Sequence, residues 1–348
     1  MVMINSGTAH AETGSYRVDY GTVLAPAAMR AAEEMERKGA GGFTVGIGQG
    51  AREISRVSFG DIAPDTQYPV LSASKFLTAA TVMAVVDDGK LSLDKPISTW
   101  LPHISGQAGK LTLRLLLSQT AGLAGSKGEL YDLAQDHRIT LEQSAEDVTR
   151  RPLISPPGEV FAYGAPGFQV AGALVEAATG KRWAQVFDEK IARPLGMNHT
   201  YWTHFRLDRT EELPVSETLN PVLQGGAVST AEDYMHFLSM MAQGGVYNGR
   251  RVLSKESIDS MLSDQTSTAH MTPTGANVLP DAHYSLGSWC ETWDGQGKCN
   301  RNSSIGLFGV YPWVERKTQR FGIIFLYVRE DAFRFWPDME KIRDAAQE

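Results

Sequence analysis

The sequence predicts an α+β fold: an antiparallel sheet flanked by terminal helices, with an all-helical region inserted between the two halves of the sheet. Three observations predict it. Near the N-terminus, Phe43-Thr44-Val45-Gly46-Ile47 and Ile54-Ser55-Arg56-Val57-Ser58-Phe59 alternate like two strands around a turn at Gly48-Gln49-Gly50. Near the C-terminus, the apolar runs Ile305 to Val314 and Phe321 to Val328 are strand-like and joined by the polar turn Glu315 to Arg320. Between the two pairs the periodicity is helical. Strands at both ends with helices between them imply that the ends meet in one sheet, with an active site at the junction. The predicted division is a discontinuous sheet domain, residues 16–104 and 246–348, and a helical domain, 105–245.

Taken in order, the first element is a helix from Thr22 to Lys38 that stops at Gly39, followed by the N-terminal hairpin. After Ser72, the apolar residues Phe76, Leu77, Ala80, Met83 and Val86 recur at helical spacing up to Gly89. Leu113–Ser118, Leu141–Arg150, Ala165–Thr179, Trp183–Ile191, Ala231–Ala242 and Lys255–Leu262 also read as helices. Thr140-x-x-Gln143 and Ser229-x-x-Glu232 have the form of capping boxes, and Gly180 supplies a stop. A terminal helix runs from about Pro337 to Ala346. No internal repeat or low-complexity linker interrupts the pattern.

Composition excludes several functions. A chain of 348 residues with 42% hydrophobic and 21% charged residues is ordinary for a soluble globular enzyme. A formal charge of −7, without a run of Lys or Arg, argues against a nucleic-acid partner. No apolar stretch approaches the ~20 residues needed for a membrane span. No HExxH or histidine cluster marks a metal site, no cofactor is implied, and oligomeric state is not encoded legibly. Cys290 and Cys299 lie in a Gly/Asp/Asn-rich segment without further soft ligands nearby, so a disulfide is expected rather than zinc. The bridge would favour a periplasmic or secreted protein; two reduced cysteines in the cytoplasm are the alternative. Ala9-His10-Ala11 looks like the end of a secretory signal, but Met1 to Gly7 is too short and polar for its apolar core.

The chemistry is carried by Leu71-Ser72-Ala73-Ser74-Lys75. In the first turn of a helix, Ser and Lys three apart share a face. The serine N–H then sits at the positive end of the helix dipole, where an oxyanion is stabilised. A weak nucleophile with an adjacent base and an anion site suits covalent acyl transfer; a plain N-cap serine is the competing reading. A second copy, Ser92-Leu93-Asp94-Lys95, precedes Pro96, which turns Lys95 away from helical geometry and puts Ser92 in a loop. Tyr163 follows the Pro157-Gly158 turn and precedes a helix, so it is a candidate acid or base, or a packing residue at a helix entry.

Ser72-x-x-Lys75, Val85-Val86-Asp87-Asp88-Gly89-Lys90-Leu91-Ser92-Leu93-Asp94, Leu115-Leu116-Leu117-Ser118-Gln119-Thr120-Ala121-Gly122-Leu123, Tyr163-Gly164-Ala165 and Gly225-Gly226-Ala227-Val228-Ser229-Thr230 together resemble the serine β-lactamase-like family. The resembling branch is that of class C β-lactamases and family VIII carboxylesterases, with penicillin-binding-protein-like hydrolases beyond. The likeness covers roughly residues 40 to 330, with its motifs in the family's order. It implies a β-lactamase-like fold, Ser72 as nucleophile, Lys75 and Tyr163 as proton carriers, and Gln119 and Ala165 at the substrate.

Two departures stand out. Ala165 takes the place of the family's asparagine, and the Lys/His-Thr-Gly strand motif is missing. Aligning Ser304-Ile305-Gly306-Leu307 with that motif puts Ser304 where the family has a cation, and makes the amides of Ser72 and Leu307 the oxyanion donors. Ser304, Ile305 and Gly306 would then line the substrate, with Arg301 a candidate replacement cation. The charge of Lys75 is expected to hold the Tyr163 phenol below its ordinary range. The implied function is a carboxylesterase-like serine hydrolase acting through an acyl-enzyme on small neutral esters or amides. A β-lactamase or D-amino-acid peptidase is the alternative, and a degenerate ligand-binding protein the reading of another class.

Overall fold

The computed structural model describes residues 24–123, 136–164, 166–203, 218–272 and 279–345. The leader-like segment, Thr22 and Ala165 lie outside the described residues. Helix α1 (Pro26–Arg37) begins on a proline, whose missing N–H costs nothing in a first turn. Strands β1 (Phe43–Gln49) and β2 (Arg52–Phe59) follow. The other helices are α2 (Ser74–Asp87), α3 (Leu113–Leu117), α4 (Leu141–Thr149), α5 (Pro166–Thr179), α6 (Trp183–Phe187), α7 (Ala231–Ala242), α8 (Lys255–Met261) and α9 (Trp336–Ala345). The C-terminal strands are β3 (His283–Tyr284), β4 (Trp289–Trp293), β5 (Cys299–Ser303), β6 (Tyr311–Glu315) and β7 (Arg320–Leu326).

The sheet runs β3-β4-β5-β6-β7-β1-β2 and is antiparallel throughout. The two chain ends meet where β1 pairs with β7, from Phe43 opposite Leu326 to Gln49 opposite Arg320. Alternation along β1 then assigns its faces. Phe43, Val45 and Ile47 enter a core with Ala28, Met35, Met339 and Ile342 of α1 and α9. Gly46 points the other way, where a Cβ would lie 3.0 Å from Met235 Sδ of α7. Glycine in the middle of this strand therefore lets α7 lie close on the inner face. The larger core on that side joins α7 with α2, α3, α5 and α6. The β-lactamase-like α+β fold is thus present, with about 38% helix and 19% strand.

Several expected elements differ in detail. Strand β6 begins only at Tyr311, because Gly306 to Val310 form a turn between β5 and β6. In that turn the Gly306 N–H donates to Val310 O (2.7 Å) and the Gly309 N–H to Gly306 O (3.0 Å). The Thr140–Gln143 capping box is formed. The second box is not formed: Thr230, not Ser229, is the N-cap of α7 and accepts from the Asp233 N–H, while the Asp233 carboxylate accepts from the His199 N–H and Thr200 Oγ1. Ser229 ends a short strand, and its hydroxyl meets that of Thr200 instead. Helix α2 is not amphipathic, since every residue from Ser74 to Val85 is buried. Its threonines satisfy their hydroxyls on Ser74 O, Leu77 O and Leu223 O.

Cys290 and Cys299 are bonded across the β4–β5 hairpin. The bend before β4 fixes the sheet on α2. Gly287 has φ +78, and a Cβ there would lie 2.5 Å from Lys75 O and 2.8 Å from Ala79 Cβ. Gly287→Ala should cost about 1–3 kcal/mol for the left-handed backbone alone, and more for the displaced helix. Thermal unfolding should show a melting temperature several degrees lower; an unchanged melting curve would mean that the bend does not bear on α2.

Candidate active site

Ser72 lies in a short 3-10 turn, Leu71–Ala73, that runs directly into α2. Leu71 is left-handed, with φ +49, an uncommon state for a leucine and one that the surroundings must enforce. They do so at successive residues. Ser304 Oγ donates to Ser72 O (3.0 Å), Tyr234 Oη to Ala73 O (2.8 Å), and the Ala227 N–H to Ser74 Oγ (3.0 Å). The Val70 N–H donates to Ala227 O (2.9 Å). The turn after β5, helix α7 and the short strand Ala227–Ser229 thus all hold the serine turn.

Lys75 projects from the first turn of α2 with its ammonium group fully enclosed. Its Nζ donates to Ser72 Oγ (3.2 Å) and to Gln224 O (3.0 Å). It also stands 4.5 Å from the centroid of the Tyr163 ring and 5.7 Å from that of Phe168. Burial without a carboxylate partner brings its pKa from 10.5 down to about 7. Tyr163 hydrogen-bonds the same Ser72 hydroxyl, yet burial pushes its phenol up to about 12. The expected direction is therefore reversed. Desolvation depresses the amine and raises the phenol, so near neutrality the pair is a lysine close to half-neutral and a protonated tyrosine.

Gln119 holds the Tyr163 segment from both sides. Its carbonyl accepts from the Ala162 N–H (3.0 Å) and its side-chain oxygen accepts from the Gly164 N–H. That leaves its amide nitrogen, not its oxygen, as the atom that could meet a substrate. Gln119 also carries a positive φ, +60.

The 304–309 turn lies along Val70–Ser72. Beyond the Ser304–Ser72 bond, a Cβ on Gly306 would lie 2.5 Å from Val70 O, and Phe308 packs with Leu71. Leu307 is at the apex and largely exposed. Three residues that the sequence assigned to the substrate have side chains engaged elsewhere. Ser304 is buried, its hydroxyl donating to Ser72 O and Gly287 O, and Ile305 is turned into the core against α9. Arg301 is not a substitute cation. It pairs with Glu315 (2.8 Å) on the sheet face that carries Arg343 and Asp344. Ser92 is in a loop, its hydroxyl accepting from the Asp94 N–H (3.4 Å).

Sequence reasoning missed Trp289, Tyr284, Tyr234 and Gln224. Trp289 stacks on Tyr163, Tyr284 packs edge-on to it, and the other two bond the serine turn and Lys75. Only topology brings them there. Among the described residues no group of three or more His, Cys, Asp or Glu could hold a metal, and no helix is long and apolar enough to cross a membrane.

Comparison with known proteins agrees with this architecture. The Beta-lactamase family model matches residues 28–343, and the chain belongs to that family of β-lactamase-fold hydrolases. It is 28% identical over 241 residues to an uncharacterised Mycobacterium tuberculosis protein, covering 58% of this chain. The match spans about 60% of that relative's length. It is 26% identical to the 6-aminohexanoate-dimer hydrolase of Paenarthrobacter ureafaciens, over 78% of this chain and 68% of that protein. A candidate β-lactamase from Bacteroides dorei superposes with a TM-score of 0.79 at 28% identity, over 94% of this chain and 100% of that one. A family VIII carboxylesterase shares the fold at a TM-score of 0.73 and 18% identity, over 94% and 98%.

The two pKa directions set the pH behaviour. The folded-state lysine titrates below its unfolded value, so its burial penalises stability in full below about pH 7 and progressively less up to 10.5. The free amine is the basic form. Acylation of Ser72 by an ester should therefore rise about tenfold per unit up to a midpoint near pH 7, then level off without a tyrosine limb below pH 10. Stopped-flow measurement of the acylation burst checks this, and a midpoint above pH 9 would contradict it.

Proposed function

We propose that this chain is a serine hydrolase that forms an acyl-enzyme on Ser72 and acts on uncharged ester substrates. One observation carries the reading: a buried lysine amine, with no carboxylate partner among the described residues, within 3.2 Å of a serine hydroxyl that also meets the Tyr163 phenol, burial bringing the amine's pKa down to about 7. A binding module has no use for a desolvated lysine, whose burial costs stability.

In the proposed cycle the neutral Lys75 amine takes the Ser72 hydroxyl proton as Oγ attacks the ester carbonyl. The tetrahedral oxyanion is received by the Ser72 and Leu307 amides. As the bond to the leaving alcohol breaks, Tyr163 gives its phenolic proton to that oxygen and is reprotonated by the Lys75 ammonium. Water then enters on the same route and attacks the acyl carbonyl, losing a proton to Lys75; the bond to Ser72 Oγ breaks, Lys75 returns that proton to Oγ, and the acid is released. Each proton carrier ends as it began. The raised phenol pKa suits the donor role, since the group is protonated throughout the working range.

The specificity rests on position 304. Ser304 is consumed by backbone contacts and Arg301 by Glu315, so the family's cation has no replacement at either place. A substrate carboxylate would forfeit a charge-assisted hydrogen bond of about 1.5–3 kcal/mol, roughly ten- to a hundredfold in affinity. Neutral esters are favoured over β-lactams on that ground. Small amides remain a second substrate class, supported by the likeness to the 6-aminohexanoate-dimer hydrolase. The Cys290–Cys299 bond supports an exported location.

The test compares kcat/KM for p-nitrophenyl butyrate and nitrocefin, with a fluorophosphonate to locate the nucleophile. The butyrate should be turned over at least tenfold better. Digestion should place the phosphonate on the peptide containing Ser72, and Ser72→Ala should abolish labelling. Faster nitrocefin turnover would favour the β-lactamase alternative, and failure of the folded protein to label would favour a ligand-binding role.

A further inference from the structure

Tyr163 follows by two residues the short strand Val160–Phe161, which pairs with His270–Met271, and Gln119 bonds the backbone on either side of it, at Ala162 and Gly164. A hydroxyl at the far end of such a side chain needs its ring fixed as well. The Trp289 indole lies parallel to that ring, with centroids 5.3 Å apart and planes inclined by 15°. Trp289 is fixed in turn. It opens β4 and is paired with Tyr284 on one side and Ser303 on the other. Tyr284 meets it edge-on at 4.9 Å and Phe161 at 5.6 Å. It is buried, so its orientation is set by packing and not by solvent. Stacked and edge-on aromatic pairs of this kind add to the attraction that burial gives.

We propose that Trp289 is the positioning residue for Tyr163: its indole holds the phenol ring beside the Lys75 ammonium and keeps the phenolic oxygen on Ser72 Oγ. The inference rests on the acyl-enzyme reading above. Trp289 acts through Tyr163 and not on the substrate. Displacement of a reacting group by as little as 1 Å can cost about a hundredfold in rate. The indole also keeps water away from the Lys75–Tyr163 pair. The titratable groups facing that pair are few. Lys75 comes from α2, and Tyr284 comes from β3. His283 is turned to Asp264 and Trp293, while Glu291 of β4 is on the other face with Arg343. No carboxylate from these strands therefore competes for the response.

The experiment compares Trp289→Met, which fills space but cannot stack, with Trp289→Phe, which can. Steady-state hydrolysis of p-nitrophenyl acetate is followed from pH 5 to 10. Trp289→Met should lower kcat about ten- to a hundredfold while KM changes less than about threefold, because positioning of the proton carrier is lost and binding is not. Its acidic limb should move upward by about one pH unit as water reaches Lys75. Trp289→Phe should restore kcat to within about threefold of wild type, with the wild-type midpoint. Wild-type rate and midpoint in Trp289→Met would overturn the proposal, as would Trp289→Phe performing no better than Trp289→Met. Should Trp289→Met not fold, Trp289→Phe carries the test: a rate as low as that of Tyr163→Phe overturns the proposal. Wild-type protein that never acylates removes the hydrolase reading itself, whereas an acylating wild type with indifferent Trp289 variants removes only the role of Trp289.

Discussion

The rest of the site depends on one constraint, the burial of the Lys75 amine with no carboxylate among the described residues to neutralise it. A charged ammonium there loses its hydration and receives in return, among the described residues, Ser72 Oγ, the Gln224 carbonyl and the rings of Tyr163 and Phe168. Those partners compensate incompletely, so the proton is held weakly and the pKa falls to about 7. The same dryness raises the Tyr163 phenol. One environment thus lowers the amine and raises the phenol on either side of a single hydroxyl, the pairing that the proposed cycle uses as base and proton donor.

Keeping that environment dry and ordered is the task of elements distant in sequence. The sheet contributes the 304–309 turn, whose serine bonds the nucleophile's own carbonyl, and the bend at Gly287, which rests on Lys75 O. Helix α7 contributes Tyr234 from the other side. Gln169, buried in α5, orders the segment that presents the Gln224 carbonyl by accepting from the Leu223 N–H and donating to Asn220 and Pro221. The left-handed Leu71 is the strained point at which these contacts converge. Fold and site are thus coupled at the Ser72 turn, which is bonded from the 304–309 turn, from Tyr234 and from Ala227.

Much of this was legible in the sequence where chemistry and local signals coincide. The Ser72–Lys75 spacing, the turn before Tyr163, the alternation of β1 and β2 and the apolar run of β7 all mark their places. Three strands were not legible. Along β4 and β5, Glu291, Arg301 and Ser303 are polar yet buried, because Arg343 of α9 and Glu315 of β6 meet them across the sheet face. Buried ion pairs erase the hydrophobic alternation on which strand recognition relies. For the same reason the place of Trp289 could not be read, since its strand was not. The 304–309 run is apolar enough to look like a strand, but its glycines close a turn in which the Ser304 hydroxyl bonds Ser72 O and Ile305 enters the core. The direction of the Tyr163 shift was misjudged because sequence shows the neighbouring charge but not the burial, and burial is the larger effect.

The central claim is that Lys75 is a poised neutral base, and its own titration tests this most directly. With lysine labelled by 13C at the ε-carbon, the Lys75 resonance can be assigned by its loss in Lys75→Arg and followed from pH 5 to 11. The account predicts a midpoint near 7, well separated from the other lysines. A Lys75 resonance that titrates near 10 with the rest would contradict it, because the amine would then be solvated and protonated at the pH where it is required to accept a proton.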